Sequence, residues 1–448
     1  MTKNKNITVI KDVSAKLGFA LAMILAIAIP VATLFIMPGW LLFACLVLAA
    51  AWMVLTRIGQ QTWSVAWVGI ATIPQRLGAS VVVVVGIAGV VGVLVALLAM
   101  GAGFEATLKQ TGADDTAIVT QAGAQSESSS SISHDTAALV SQAPQVLRNA
   151  QGHPVASPEL LVVASLPKRK AGQAANVAIR GVGEAVWDLR PQIKISAGRM
   201  FKSGLTEVLV GQRVHEQFAG TDIGSMLTLN GQSWTVVGLF DSGDAHNSEI
   251  WSDTDVVASA FRRGSGKTST TVRLTDARAF DAFKAGLASD HRLKVDVQTT
   301  RQYYNRQSEG LVRIARILAT TVGAIMAIGA VFGALNTMYS AVAARARDVA
   351  TLRALGFRRF PVIVSVLLET LLLAASGGLI GGVIAWVLFD GFTASTLGPD
   401  GQVMFAFNVS LTLVWNGLQW ALAIGFVGGL FPAVRAVRVP ITVGLREV

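Results

Sequence analysis

The sequence predicts a polytopic α-helical membrane protein with six transmembrane helices and a large α+β extracytoplasmic domain between the third and fourth. Composition is the first observation behind this. Of 448 residues, 52% are hydrophobic and 14% charged, with a mean hydropathy of +0.55, whereas soluble domains carry about a quarter charged residues. The second is that six apolar segments, about 17–37, 39–56, 77–100, 314–340, 361–389 and 409–431, are each near or above the span-length threshold of roughly 18 residues. The third is where the charge lies. The formal net charge is +10, yet residues 101–310 hold 21 Lys/Arg and 21 Asp/Glu. A nucleic-acid binder would concentrate basic residues on a water-facing domain. Here the excess borders the apolar segments, which excludes nucleic acid as a partner and makes the lipid membrane one.

The first apolar segment has no cleavage-site pattern and is followed at once by another, so it reads as a retained span. Together they make a hairpin turning at Pro38-Gly39-Trp40. Orientation follows from the short loops. Lys3, Lys5, Lys11 and Lys16, then Arg57 and Arg76, then Arg345, Arg347, Arg353, Arg358 and Arg359, then Arg435, Arg438 and Arg446 all fall on one side. The opposite loops, 38–39 and 390–408, carry Asp390 and Asp400 with no Lys or Arg. Both termini are therefore expected in the cytoplasm and residues 101–310 outside, in a multi-pass protein of the cytoplasmic (inner) membrane. The organisation read from this is an N-terminal tail and hairpin (1–56), an interfacial elbow helix (57–76), a third span (77–100), the external domain (101–310) and a three-span C-terminal module (311–448). The elbow is read from Trp63, Trp67, Ile70 and Ile73, which recur at helical spacing among polar residues. Cys45, the single cysteine, reads as a buried small hydrophobe, and no disulfide can form within one chain.

Strand-like runs mark the external domain at Ala117–Thr120, Leu160–Leu166, Ala175–Val182, Glu207–Val210, Thr270–Leu274 and Lys294–Gln298, with helical patterns near 135–150, 211–219, 253–263 and 276–289. Its clearest local signal is Leu227–Leu229, Asn230-Gly231, Gln232–Phe240, because Asn-Gly suits a type I′ hairpin turn. The Ser-rich run 126–133 reads as a mobile loop. Asp241, Asp244, His246 and Glu249 read as a solvated acidic loop in preference to a cation site.

No catalytic or cofactor motif stands. Gly266-Lys267-Thr268 lacks the earlier glycine of a phosphate-binding loop, since position 261 is Phe. Gly101-Ala102-Gly103 lacks the third glycine of a dinucleotide motif. The five histidines show no metal-ligand spacing, and no nucleophile-elbow pattern is present. The chain is expected to have no enzyme activity, metal or directly bound cofactor.

The C-terminal module is more informative. Gly377 with Gly381, and Gly378 with Gly382, form overlapping GxxxG pairs, suited to close helix packing within the bundle or to a seam between two copies. Gly86, Gly89 and Gly92 recur every three residues. Glu369 is an ionisable group inside an apolar segment, which either pairs with an arginine of the preceding segment or sits at the membrane interface. Residues 344–360 read as a short amphipathic helix in which Val349, Leu352 and Leu355 share a face among arginines, with Gly356 at its end and Pro361 starting the next helix. It is either an interfacial anchor or a helix that docks into a cytoplasmic partner.

The run Arg347-Asp348-Val349-Ala350-Thr351-Leu352-Arg353-Ala354-Leu355-Gly356, followed by Glu369 and the Gly377–Gly382 cluster, resembles the C-terminal module of FtsX-like/MacB-like ABC transporter permeases. Asp348 stands where that family usually has Glu. Gly429-Leu430-Phe431-Pro432-Ala433 through Arg435, Arg438 and Pro440 to Leu445-Arg446 resembles its closing motif, and Pro74-Gln75-Arg76-Leu77 to Gly101-Ala102-Gly103-Phe104 its opening span. Gly198-Arg199-Met200-Phe201, Glu207–Gly211 and Gly224 to Thr235-Val236-Val237-Gly238 resemble its MacB-like periplasmic core. The hairpin 1–56 departs from the usual four-span pattern.

This resemblance implies a mechanotransmission permease. A cytoplasmic ABC ATPase subunit, carrying the ATP and Mg²⁺, would act on a coupling helix comprising Arg347, Asp348, Leu352, Arg353, Leu355 and Gly356. Two permease protomers, a homodimer or related heterodimer, would carry the motion outward, to a periplasmic adaptor or outer partner in some members. The implied task is export or extraction of a peptide, lipoprotein or hydrophobic small molecule. The rivals are an FtsX-like relay to an external cell-wall hydrolase and a ligand-binding sensor without an ATPase.

Overall fold

The computed structural model describes residues 25–169, 173–398, 401–438 and 440. In chain order the elements begin with α1 (Leu25–Ile36), α2 (Gly39–Leu55), α3 (Arg57–Ala71) and α4 (Leu77–Thr111). Then come β1 (Thr116–Gln121), α5 (His134–Ser141), β2 (Ala156–Pro167), β3 (Ala174–Val182), α6 (Val186–Leu189), β4 (Lys194–Gly198), β5 (Glu207–Gly211) and α7 (Gln212–Gln217). Next are β6 (Met226–Leu229), β7 (Gln232–Asp241), β8 (Glu249–Asp253), α8 (Thr254–Ala260), β9 (Ser269–Arg273), α9 (Ala279–Ser289) and β10 (Val295–Thr299). The chain ends with α10 (Thr300–Ala344), α11 (Ala346–Ala354), α12 (Arg359–Phe389), β11 (Thr393–Gly398), β12 (Gly401–Ala406) and α13 (Leu411–Ala436). These form two units: a helical unit of 1–99, 316–390 and 409–448, and an α/β unit of 100–315 and 391–408.

Among the described residues, α4, α10, α12 and α13 are long and apolar enough to cross a membrane. The pair α2 and α3, bent by 100° at Thr56, counts as a fifth if taken as one broken span. Residues 17–24 of the expected first span lie outside the described residues. Cys45 is exposed on α2 instead of buried, because in a span the outer face of the bundle is as apolar as its core.

The helical unit is held by backbone-to-backbone proximity. A Cβ at Gly377 or Gly381 would lie 2.8 Å from the Val84 carbonyl oxygen or 2.4 Å from that of Ala88, both on α4. At Gly378 or Gly382 it would meet Ala421 at 2.7 Å or Val414 at 2.8 Å, both on α13. One glycine pair thus serves each neighbour, and both are used within a single chain. Around Gly86 and Gly89 nothing lies within 4 Å.

In the α/β unit ten strands run in the order β10-β1-β9-β2-β3-β8-β5-β7-β4, with β6 paired to β7. The long β2 belongs to two lobes. Its start (Ala156–Glu159) pairs with β9 and its remainder (Leu160–Pro167) with β3. One lobe packs Val119, Val140, Val272, Phe283 and Val297; the other packs Leu160, Ile179, Val210, Phe218 and Trp234. The β6–β7 turn has Asn230 and Gly231 at φ 47 and 79, as a type I′ turn requires.

Several expectations are corrected. The helical pattern at 135–150 stops at Ser141, since Pro144 disfavours helix in the residue before it. The Ser-rich run is not a free loop: Ser126, Glu127 and Ser130 are buried, and the Ser130 hydroxyl accepts the Gln121 N–H at 2.8 Å. A polar segment can be buried when its groups find partners. The 241–249 segment is likewise not solvated. Asp244 and His246 are buried, with His246 N–H and Nδ1 donating to Asp244 Oδ1 at 2.9 and 3.0 Å. Finally, loop 390–408 is more than a connection. Its hairpin β11–β12 belongs to the α/β unit, where Met404 joins the core beside Trp234 and its N–H reaches Ser248 Oγ at 2.9 Å. Phe405 lies edge-on to Phe104, with ring centroids 5.4 Å apart.

Replacing Gly381 by Val is expected to destabilise the helical unit by about 1–3 kcal/mol, because the clash is with backbone. Gly89→Ala, in open space, should be neutral or slightly stabilising. Thermal unfolding of the detergent-solubilised chain compares the two.

Candidate functional site

The segment between α10 and α12 is a stop-and-start built from sequence. Helix α10 ends at Ala344, Arg345 alone interrupts it, and α11 runs Ala346–Ala354. Its end is a Schellman motif. Gly356 takes φ 96, its N–H bonds the Arg353 carbonyl at 3.2 Å, and the Phe357 N–H bonds the Leu352 carbonyl at 3.1 Å. Helix α12 then begins at Arg359 with Pro361 in its first turn, where no intrahelical donor is needed. Capped this tightly, α11 is a short rigid body with two faces. Ala350 is buried, and Val349 and Leu352 line a cavity of about 260 Å³ beneath it. Arg347, Thr351 and Leu355 turn outward, Leu355 being 73% exposed. The expected shared face of Val349, Leu352 and Leu355 is therefore divided, because Leu355 is the cap residue and leaves the helical path.

The floor of that cavity holds Glu369, whose side chain is 5% exposed. Arg345 Nη2 donates to both of its oxygens at 2.9 Å, and Arg76 Nη2 donates to Oε1 at 3.0 Å. Of the two sequence readings of Glu369, pairing with an arginine is the one observed; Arg76 is a second partner the sequence did not suggest. Helix α3 completes the site with its small-residue face, Gly59, Thr62, Ala66 and Gly69. A Cβ at Gly69 would stand 3.2 Å from Arg345 Nη1 and 3.3 Å from Glu369 Oε2, so a larger residue there would press on the ion pair. Trp63 and Trp67 project from the opposite, exposed face.

A second charged cluster is buried in the α/β unit, where β2 changes partner. Arg180 on β3 donates to Glu127 and Glu159 at 2.7 Å and to both oxygens of Glu249 at 2.8 Å. Arg190 adds bonds of 2.6 and 3.1 Å to Glu159. Trp251 Nε1 donates to Glu249 at 2.7 Å, and the Glu127 N–H reaches the Tyr303 hydroxyl, in the first turn of α10, at 3.0 Å. The cluster thereby fastens one end of the longest helix into the α/β core.

Two protein-family models match the chain. The MacB-like periplasmic core domain matches residues 80–289, and the FtsX-like permease C-terminal domain matches residues 320–441. The chain thus carries a MacB-like periplasmic core domain followed by an FtsX-like permease C-terminal domain. Among relatives, the macrolide export ATP-binding/permease protein MacB of Neisseria meningitidis is 24% identical over 283 residues, 58% of this chain and 42% of that one. The ABC transporter permease YknZ of Bacillus subtilis is 23% identical over 291 residues, 61% and 71% of the two chains. The alignment thus spans less than half the length of the MacB relative. Among solved structures, the extracellular domain of YknZ from Gram-positive bacteria superposes with a TM-score of 0.32 at 13% identity, covering 41% of this chain and all of that one.

In this chain, α11 and Glu369 lie inside the FtsX-like match, while Arg76 and α3 precede the MacB-like one. Among the described residues, no group of three or more His, Cys, Asp or Glu could hold a metal ion. The core-domain cluster escaped sequence reading, although one signal was present: Arg180 interrupts an apolar strand, Val177-Ala178-Ile179-Arg180-Gly181-Val182, and a charge there requires buried partners. The arginines Arg190 and Arg180 hold the Glu159 carboxyl down to about 2 against the opposing pull of burial. Glu249 is lowered by the same competition, with Arg180 as its partner. A depressed carboxylate contributes stability in full above its unfolded value of 4.5 and loses it as pH falls toward its folded value. The melting temperature should therefore fall as pH drops below about 4.5. Arg180→Leu, which strands buried carboxylates, should cost about 3–5 kcal/mol at neutral pH. Its acid-side slope should flatten, as read by calorimetry of the full chain.

Proposed function

We propose that this chain is the permease subunit of an ABC transporter in which a separate cytoplasmic ATPase acts on α11. The ATPase binds the ATP and Mg²⁺, and the resulting motion reaches the α/β unit. The cargo class is a peptide, lipoprotein or hydrophobic small molecule, exported or extracted from the outer side of the membrane. The observation that carries the reading is α11 itself: a rigid, capped helix with an anchored inner face and an outer face presenting Arg347, Thr351 and Leu355. Side chains left outward on a short helix between two spans suit docking into a partner's groove.

The rest of the reading follows from charge and helix length. The basic loops support a reading with α11 and both termini in the cytoplasm and the α/β unit outside, in which α1 and α2 would be two further spans beyond the four long ones. Helices α4 and α10 are unbroken for 35 and 45 residues, and a continuous helix transmits displacement along its axis. Two protomers side by side in the membrane would bring two copies of α11 to two ATPase subunits. ATP favours whichever conformation binds it more tightly, which supplies the bias.

Affinity purification from native membranes should bring down a stoichiometric ATPase. Leu355→Asp together with Arg347→Glu should release it without affecting membrane insertion; Leu352 is left intact because it faces the inner cavity. Retention of the ATPase by this double variant rejects α11 as the docking element. An external hydrolase in the same complex would favour the relay, and the absence of any ATPase would favour the sensor.

A further inference from the structure

Glu369 lies ten residues into α12, about 15 Å along its axis, where a lone carboxylate in an apolar segment would be costly. Its partners come from two places far apart in the chain. Arg345 is the one residue between α10 and α11, so whatever holds its side chain holds the helix break at the start of α11. Arg76 closes the short 3-10 turn Ile73–Arg76, immediately before α4 starts at Leu77. Oxygen Oε1 accepts from both guanidiniums, at 2.9 Å from Arg345 and 3.0 Å from Arg76. The carboxylate therefore ties the root of the coupling helix to the root of a 35-residue helix. Two arginines on one carboxylate leave an excess positive charge. If Glu369 were neutral, the two guanidiniums would repel each other across the site.

We infer that Glu369 is a positioning residue that latches α11 to the root of α4. A push on α11 then travels into α4 instead of being absorbed at the helix break beside Arg345. The cavity of about 260 Å³ under Val349 and Leu352 leaves the inner face of α11 only partly packed, and the ion pairs add a directional tie from its root to that of α4. This inference rests on the reading of α11 as the helix an ATPase acts on.

Glu369→Gln keeps the side chain's shape and removes its charge. The experiment uses the native complex, with spin labels at Ala354→Cys at the end of α11, outside the docking set, and Leu77→Cys at the start of α4, in a Cys45→Ser background. With Glu369 present, the distance between the labels stays constant when ATP is added. In the Gln variant it becomes nucleotide-dependent, and coupling of hydrolysis to motion of the α/β unit falls about 2- to 30-fold. The ATPase still co-purifies. A merely structural role would lower melting temperature without making that distance respond to nucleotide. Undiminished coupling with a constant distance in Glu369→Gln overturns the latch, as does a distance that already changes in the parent complex. Loss of the ATPase from the parent complex instead rejects the docking role of α11. Should Glu369→Gln fail to fold, Arg76→Gln, whose side chain is partly exposed, is held to the same two readouts.

Discussion

A charge taken out of water must meet an opposite charge or carry a large desolvation cost. Among the described residues, two clusters take carboxylates out of water and answer them with arginine. In the helical unit one carboxylate serves two guanidiniums; in the α/β unit two guanidiniums serve three carboxylates. Arginine suits both because its planar fork can hold two oxygens at once and keeps its charge under burial. Lysine would offer a single point of attachment. Such clusters are poor sources of net stability compared with apolar packing, but they define geometry sharply. A carboxylate held by two forks tolerates little rotation of any of the three groups, and both clusters sit where a long helix begins or ends its run.

The small residues do complementary work. Close helix contact lets weak dispersion forces add up where hydrophobicity gives no drive. Gly377 and Gly381 bring α12 against α4, while Gly378 and Gly382 bring it against α13. The helix carrying Glu369 is thereby gripped from two sides over its middle, and the carboxylate is presented from a fixed rod. Gly69 does the same for α3, whose polypeptide could not otherwise pass within reach of the ion pair. Charge sets the position, and missing side chains create the space for it.

How legible this was in sequence depended on range. The Asn230-Gly231 turn, the Gly356 cap and the six strand-like runs are local and were readable, because turn chemistry and alternation act within a few residues. Glu369 could be singled out because a carboxylate in an apolar run is anomalous wherever its partner lies. Its partnership with Arg76, 293 positions away in sequence, was not readable, since nothing local records which arginine arrives. The Ser-rich run was misread for the same reason. Its composition reports solubility, whereas its burial depends on Arg180 and Tyr303, which come from other elements. Strands β4 and β8 escaped because each is short with polar ends, and β11–β12 because a loop between two spans gives no pattern that reveals its docking partner.

The chain passes between its two units four times: within α4, within α10, and at each end of the β11–β12 hairpin. A single connecting helix could swivel about its own axis and leave the α/β unit indifferent to what happens at the other end. Four crossings share any displacement among them. Two of these are uninterrupted helices, whose backbone hydrogen bonds resist bending. The other two end in a hairpin whose Met404 and Phe405 are fixed in apolar cores. The crossings differ in kind: α4 and α10 pass through as continuous helices, whereas the hairpin is entered and left by non-helical chain. On the proposed reading of the chain as a transmitter of motion, the Arg180 cluster takes on a mechanical meaning. A long helix delivers a push only if its far end is held, and the Glu127–Tyr303 bond, backed by Arg180, holds the start of α10 against the seam between the two lobes.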